Sequence, residues 1–134
     1  MGTPMKQATD NPQHEQNRAA AEEQYHKALD LVAAGDACAA VEGFKACLEL
    51  DPTKLDAVHG LVRALQDCGR LDEGIEWAQK LIELDPADPL SHTGLSILYQ
   101  HKGMIPEAEA EATKARLLDW KQQLQQGIKP TTVL

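Results

Sequence analysis

Apolar residues in this chain recur at helical spacing, in six stretches separated by glycine, proline and aspartate. Ala20, Gln24, Ala28 and Leu31 fall on one stripe. The second stripe is Ala40, Val41, Phe44, Cys47 and Leu48, the pattern of a helix with one buried face. Val58, Leu61, Val62 and Leu65 form the third, and Leu71, Ile75, Ala78, Leu81 and Ile82 the fourth. Leu95, Leu98 and Tyr99 mark a fifth helix; Ala108, Ala112, Ala115, Leu118 and Leu124 mark a sixth. No stretch has the alternation or the β-branched richness of a strand.

The residues between the stripes are helix punctuation. A first helix begins near His14–Ala19 and closes at Gly35, where glycine supplies a left-handed cap. Asp36 can cap the second helix, which Pro52 stops. Thr53 and Asp56 have the spacing of a capping box for the third, and Gly69 ends it. The fourth stops before Pro86. Asp88-Pro89 opens the fifth, with proline where a missing N–H does no harm, and Gly103 closes it. Pro106 opens the sixth, which meets no further proline or glycine until Gly127 and so runs to about Gln126. Residues 1–13 are polar and read as a disordered lead-in, 14–126 as one helical domain, and 127–134 as a flexible tail.

Gly35, Gly69 and Gly103 recur every 34 residues, and Leu50-Asp51-Pro52 returns as Leu84-Asp85-Pro86 one period later. A fixed period of this length marks stacked repeats. At these residues the chain resembles the tetratricopeptide repeat (TPR) family, whose unit is a helix–turn–helix with the pattern W-x2-L-G-x2-Y…A-x3-F…P. A first unit, about 21–54, supplies Ala28, Leu31, Ala40, Phe44 and Pro52. The second, about 55–88, supplies Leu61, Val62, Leu65, Gly74, Ala78 and Pro86. The third, about 89–122, supplies Leu95, Ser96, Tyr99, Ala108 and Ala112, with Trp120 where proline belongs. The family's first tryptophan is absent from all three. Its small glycine between the helices becomes Ala28, Val62 and Ser96, which predicts looser or differently spaced packing in each pair. The resemblance implies an all-α, right-handed α-solenoid of three helix pairs with an extended last helix.

In that family the first helix of each pair lines a concave side. The implied lining is Glu22, Tyr25, His26, Leu29 and Val32, then Asp56, His59, Arg63, Gln66 and Asp67, then Leu90, Thr93, Ile97, Gln100 and His101. It is apolar around Tyr25, Leu29 and Val32 and polar around His59, Arg63 and Gln66. Such a surface suits an extended or helical peptide, with Tyr25 and Arg63 as anchors by residue type; the plain alternative is a solvated face. Some relatives grip C-terminal carboxylates at positions that here hold Tyr25, Leu29, Gly60, Leu90 and Gly94. None is basic, so that mode is not expected. The implied function is a non-enzymatic scaffold or adaptor for a peptide or protein subunit. Its rival is self-assembly, as a dimer or head-to-tail oligomer, through Leu117, Leu118, Trp120 and Leu124 at the uncovered end of the last helix. Against that rival stands Trp120 folding back to seal the last pair.

Composition narrows the partners. A net charge of −8 over 134 residues opposes binding to nucleic acid or to an anionic membrane surface, and a neutral or basic protein fits better. Met1 to Asn17 lacks the apolar core of a signal peptide, so a cytoplasmic location is expected. The five histidines show no close metal spacing, and no Gly-rich phosphate loop occurs. A transition-metal site shared by His26, His59 and His101 competes with plain solvent exposure of the three. No catalytic residue, cofactor or metal is expected. Cys38, Cys47 and Cys68 are odd in number and form no CxxC, so neither a disulfide framework nor a zinc site is expected. Cys47, on an apolar stripe, reads as a small buried hydrophobe. Thr132-Val133-Leu134 loosely fits a C-terminal pattern read by β-augmenting domains.

Overall fold

The computed structural model describes residues 12–127, which fold as six helices. They are α1 (Pro12–Ala33), α2 (Ala37–Leu50), α3 (Leu55–Cys68), α4 (Leu71–Leu84), α5 (Pro89–His101) and α6 (Ile105–Gln125). No strand occurs among the described residues. The fold class is therefore the all-α one that the stripes predict. The expected lead-in, apart from its last two residues, and the tail beyond Gly127, with its Thr132-Val133-Leu134 pattern, lie outside the described residues.

The period is written into the turns. Gly35, Gly69 and Gly103 take φ of 84°, 85° and 79°, a region L side chains rarely adopt. At Gly35 the turn is closed by Gly35 N–H to Val32 O (3.0 Å) and Asp36 N–H to Leu31 O (2.9 Å). Gly103 and Met104 bond to Gln100 and Tyr99 in the same way, at 3.0 and 2.8 Å. These bonds satisfy carbonyls that a helix end leaves open. Asp36 accepts from Ala39 N–H at 3.2 Å and Asp88 from Leu90 N–H at 2.9 Å, as their positions predict. The capping box expected from Thr53 and Asp56 does not form. Asp51 instead accepts both the Thr53 N–H (3.3 Å) and its hydroxyl (2.9 Å), and α3 starts at Leu55. An aspartate two residues upstream captures the threonine before the helix can.

The helices group into two compact units, divided between Cys68 and Gly69. In the first, α1 packs on α2 and α2 on α3. Its core is Ala21 and Ala28 of α1, the whole stripe from Ala40 to Leu48, and Ala57, Val58, Leu61, Val62, Ala64 and Leu65 of α3. Two glycines set the helix spacing. A Cβ added to Gly43 would stand 3.0 Å from that of Ala28, so the methyl that replaces the family's glycine at position 28 is met by a glycine on the facing helix. A Cβ added to Gly60 would stand 2.6 Å from both Cε1 and Cζ of Phe44, the largest fully buried side chain.

The cysteines overturn the sequence expectation. Cys38 and Cys68 form a disulfide with Cα atoms 5.0 Å apart. Antiparallel packing of α2 and α3 sets the first turn of one beside the last turn of the other. Cys47 is the free cysteine, fully buried as expected, and burial pushes its thiol above the ordinary range.

In the second unit α5 packs on α4 and α6. Ala78, Leu81, Leu95, Leu98, Ala108 and Ala115 are buried, and Ile75 and Ile82 half-buried. Ser96, in place of the family's glycine, donates its hydroxyl to Ala108 O at 2.7 Å inside the core. Its side chain thus joins the pair instead of wedging it apart. His92 Nδ1 donates to Glu111 Oε1 at 2.7 Å, and Lys114 Nζ donates to Glu111 Oε2 at 3.0 Å. Burial opposes ionisation of Glu111, but these donors outweigh it and hold the carboxyl below its ordinary value. Leu124, placed on the buried stripe by periodicity, is exposed. α6 is 21 residues long against 13 in α5 and outruns the helix that would cover it.

Three outcomes follow for stability. Cys38→Ser with Cys68→Ser opens a loop of sequence separation 30 and is expected to lower unfolding free energy by about 3.5 kcal/mol, read by urea denaturation with and without reductant. Gly60→Ala gains about 1 kcal/mol of helix propensity but overpacks Phe44, which costs about 1–3 kcal/mol. A net loss is expected, and Phe44→Leu in the same chain should relieve the clash. Since the folded Glu111 carboxyl sits below its ordinary 4.5, its contribution is present above that pH and fades as pH falls through the lowered folded value. Urea midpoints measured from about pH 6 to about pH 3 should show an acid limb that Glu111→Gln flattens.

Candidate protein-interaction face

The expected groove positions of α1 and α3 all belong to the first unit. Tyr25 is half-buried, with its ring centroid 6.0 Å from that of Phe44 and 5.8 Å from that of His26. Lys54, from the α2–α3 connection, places its Nζ 4.9 Å from the centre of the same ring. It also donates to Glu22 Oε2 at 2.6 Å, while His26 Nε2 lies 3.2 Å from Glu22 Oε1. The Lys54 hydrogen bond holds the Glu22 carboxyl below its usual range and raises Lys54, and burial raises the Tyr25 phenol. Tyr25 thus ties α1 to the α2–α3 connection, as a member of the packing more than a free anchor. Lys54 was missed by sequence reasoning because it lies on a connection, where no periodic signal applies.

One and two turns further along α1, Leu29 and Val32 are 38% and 40% exposed, large apolar side chains left in water. On α3, Arg63 Nε sits 3.3 Å from both oxygens of Asp67, an exposed pair one turn apart. Such pairs add at most about 1 kcal/mol, so the guanidinium is easily recruited elsewhere. His59 and Gln66 are half-buried. In the second unit, Thr93 donates its hydroxyl to Pro89 O at 3.1 Å, Ile97 is half-buried, and His101 is exposed.

At the far end of α6, Leu117, Trp120 and Leu124 are 56%, 51% and 56% exposed and lie on one stripe. Trp120 therefore does not fold back to seal the last pair. Leu118, half-buried, turns inward. Among the described residues no group of three His, Cys, Asp or Glu side chains is placed to hold a metal ion. Among the described residues no helix is long and apolar enough to cross a membrane.

The sequence profile of the tetratricopeptide repeat family matches residues 31–98, just over half of the chain. No curated protein sequence matches it. Among solved structures, MamA MSR-1 is 23% identical, with a TM-score of 0.72 over 88% of this chain and 64% of its own. MamA from Desulfovibrio magneticus RS-1 is 26% identical, with a TM-score of 0.69 over 74% of this chain and 56% of its own. The type III secretion translocator chaperone SycD of Yersinia enterocolitica is 22% identical, with a TM-score of 0.71 over 81% of this chain and 86% of its own. The chain spans less than two thirds of the MamA structures' length, and the likeness to them is one of fold. The helix order, the left-handed glycines at the repeat period and the matched profile agree: the chain belongs to the tetratricopeptide repeat family, whose helix–turn–helix units are non-enzymatic scaffolds for protein–protein interaction.

Proposed function

We propose that the chain is an adaptor that holds an extended or helical peptide segment of a partner protein against α1 and α3 of the first unit. The observation that carries this is the exposure of Leu29 and Val32 beside a fixed polar frame. Tyr25, Lys54 and Glu22 lock one end of the face, and Arg63, His59 and Gln66 offer polar contacts beyond it. Apolar anchors with neighbouring polar side chains are what peptide recognition by helical surfaces requires. Thr93, Ile97 and His101 hold the equivalent repeat positions in the second unit. A chain charge of −8 favours a neutral or basic partner over nucleic acid or an anionic membrane. The Cys38–Cys68 bond supports an oxidising compartment over the cytoplasm that the N-terminal sequence suggests.

The exposed Leu117, Trp120 and Leu124 favour a second reading, in which copies of the chain associate through the end of α6. Light scattering across a dilution series separates the two. Mass that falls with dilution, and that Trp120→Ala abolishes, supports assembly; a monomer throughout removes it.

The adaptor reading is tested with immobilised protein and an extract of the source cells, followed by mass spectrometry. Leu29→Asp with Val32→Asp, both on the surface, should leave the helical circular dichroism unchanged and reduce specific capture by about tenfold or more, the loss expected of a desolvated anchor. Arg63→Ala should reduce it less. Undiminished capture by the double variant would show that the α1–α3 face is not the site.

A further inference from the structure

A notch in the second unit differs in chemistry from the α1–α3 face. It lies between the start of α5 and the second half of α6, has a volume of about 320 Å³, and is lined by Pro86, His92, Lys114, Leu117, Leu118 and Lys121. Its lining combines aliphatic side chains (Pro86, Leu117, Leu118) with basic ones (Lys114, Lys121). His92 is buried, and its Nδ1 is held by Glu111, so the ring cannot turn away from the notch. Lys114 shares the same carboxylate through its other oxygen. That one carboxylate is thus satisfied from behind by two donors, and the charge of Lys121 has no carboxylate partner among the described residues.

The setting is unusual for this chain. The last two thirds of α6, residues 112–125, carry Lys114, Arg116 and Lys121 against Asp119 alone, while the whole chain carries −8. The other acidic residues of α6, Glu107, Glu109 and Glu111, all precede residue 112. This ordering suits the helix dipole. It also leaves a basic, partly apolar concavity on an otherwise acidic protein.

We propose that this notch is a second binding site, for an acidic peptide segment of a partner protein. A Glu or Asp carboxylate of the peptide meets Lys121 and Lys114, and an adjacent aliphatic side chain covers Leu117 and Leu118. Charge complementarity selects the occupant. A carboxylate gains from the Lys121 ammonium and from Lys114, whose charge it would share with Glu111, beside aliphatic surface, whereas a basic or neutral segment would leave Lys121 desolvated and unpaired. A second copy of the chain would bring its net negative charge, but the reading requires a short acidic segment with an aliphatic neighbour, not a whole copy.

The test uses two fluorescein-labelled synthetic peptides on the intact chain: acetyl-Glu-Leu-Glu-Glu-Leu-Glu-amide, and the same peptide with Gln for every Glu. Fluorescence anisotropy at low salt should show saturable binding of the acidic peptide only, weakened as salt rises. Lys121→Glu and Leu117→Asp should each weaken it by about tenfold, with helical circular dichroism unchanged. Leu29→Asp with Val32→Asp should leave it intact, which separates this site from the α1–α3 face. Methyl NMR signals of Leu117 and Leu118 should shift on titration, and that of Leu29 should not. The proposal is overturned if the Gln peptide binds equally well, or if Lys121→Glu has no effect. It is also overturned if no binding is detected up to about 1 mM, an affinity too weak to be meaningful. A sedimentation change of the chain alone on Lys121→Glu would assign the notch to a contact between copies, and binding to phosphatidylserine vesicles in place of the acidic peptide would assign it to a membrane surface. Either result also defeats the proposal.

Discussion

Phe44 lies over Gly60, and the first unit is arranged around that contact. A fully buried ring needs close neighbours on every side, because dispersion falls off within an ångström of optimal separation. Gly60 provides the room on α3 and Tyr25 closes the other side from α1. Three helices are thus referred to one side chain. The opposing pair of Ala28 and Gly43 does the same for α1 and α2 on a smaller scale. Close backbone approach through small residues is what lets helices of only 14 residues, too short to be stable alone, hold their places.

The second unit solves the same spacing problem differently. Where the family's unit has glycine, Ser96 keeps a hydroxyl and spends it on the Ala108 carbonyl of the facing helix. A buried hydroxyl without a partner would destabilise the pair; with one, it fixes the register between α5 and α6. The His92–Glu111 contact acts in the same direction one turn away, and Gln122 reaches back to the Ala87 carbonyl near the start of α5. Directional bonds therefore hold this pair together, where α1 and α2 are spaced by the fit of Ala28 against Gly43.

Most of this architecture was legible in the sequence. Helix count, order and C-terminal ends followed from the apolar stripes and from Gly35, Gly69 and Gly103, since those positions admit few physical alternatives; the start of α1 did not, for it lies at Pro12, ahead of the expected His14–Ala19, where no apolar stripe marks it. The α2 stripe was legible residue by residue, because a helix covered on one face buries a strict pattern. Ala21, Ala57 and Ala64 were missed because alanine is equally at home on either face. The disulfide was missed although its signal was present. Positions 38 and 68 are equidistant from residue 53, in the middle of the α2–α3 connection. Residues placed symmetrically about the turn of a helical hairpin face each other, and counting cysteines alone discards that symmetry. Tyr25 was legible as a groove residue but not as a packed one. Its role depends on Lys54, which approaches from a connection that no periodicity constrains.

These packing choices bear directly on binding. The disulfide ties the start of α2 to the end of α3, and the Lys54–Glu22 pair ties the α2–α3 connection to α1. Both restraints act on the helices that carry Leu29, Val32 and Arg63. A partner at the face proposed above would not have to order it first, so little of the interaction would be lost to conformational entropy. At α6 the Glu111 hydrogen bond likewise fixes the His92 ring. The two helix sets are made rigid in different ways, by a disulfide and an ion pair in the first unit and by the Glu111 hydrogen bonds in the second. Each unit thus fixes its own helices with its own restraints, and neither set of restraints draws on residues of the other unit.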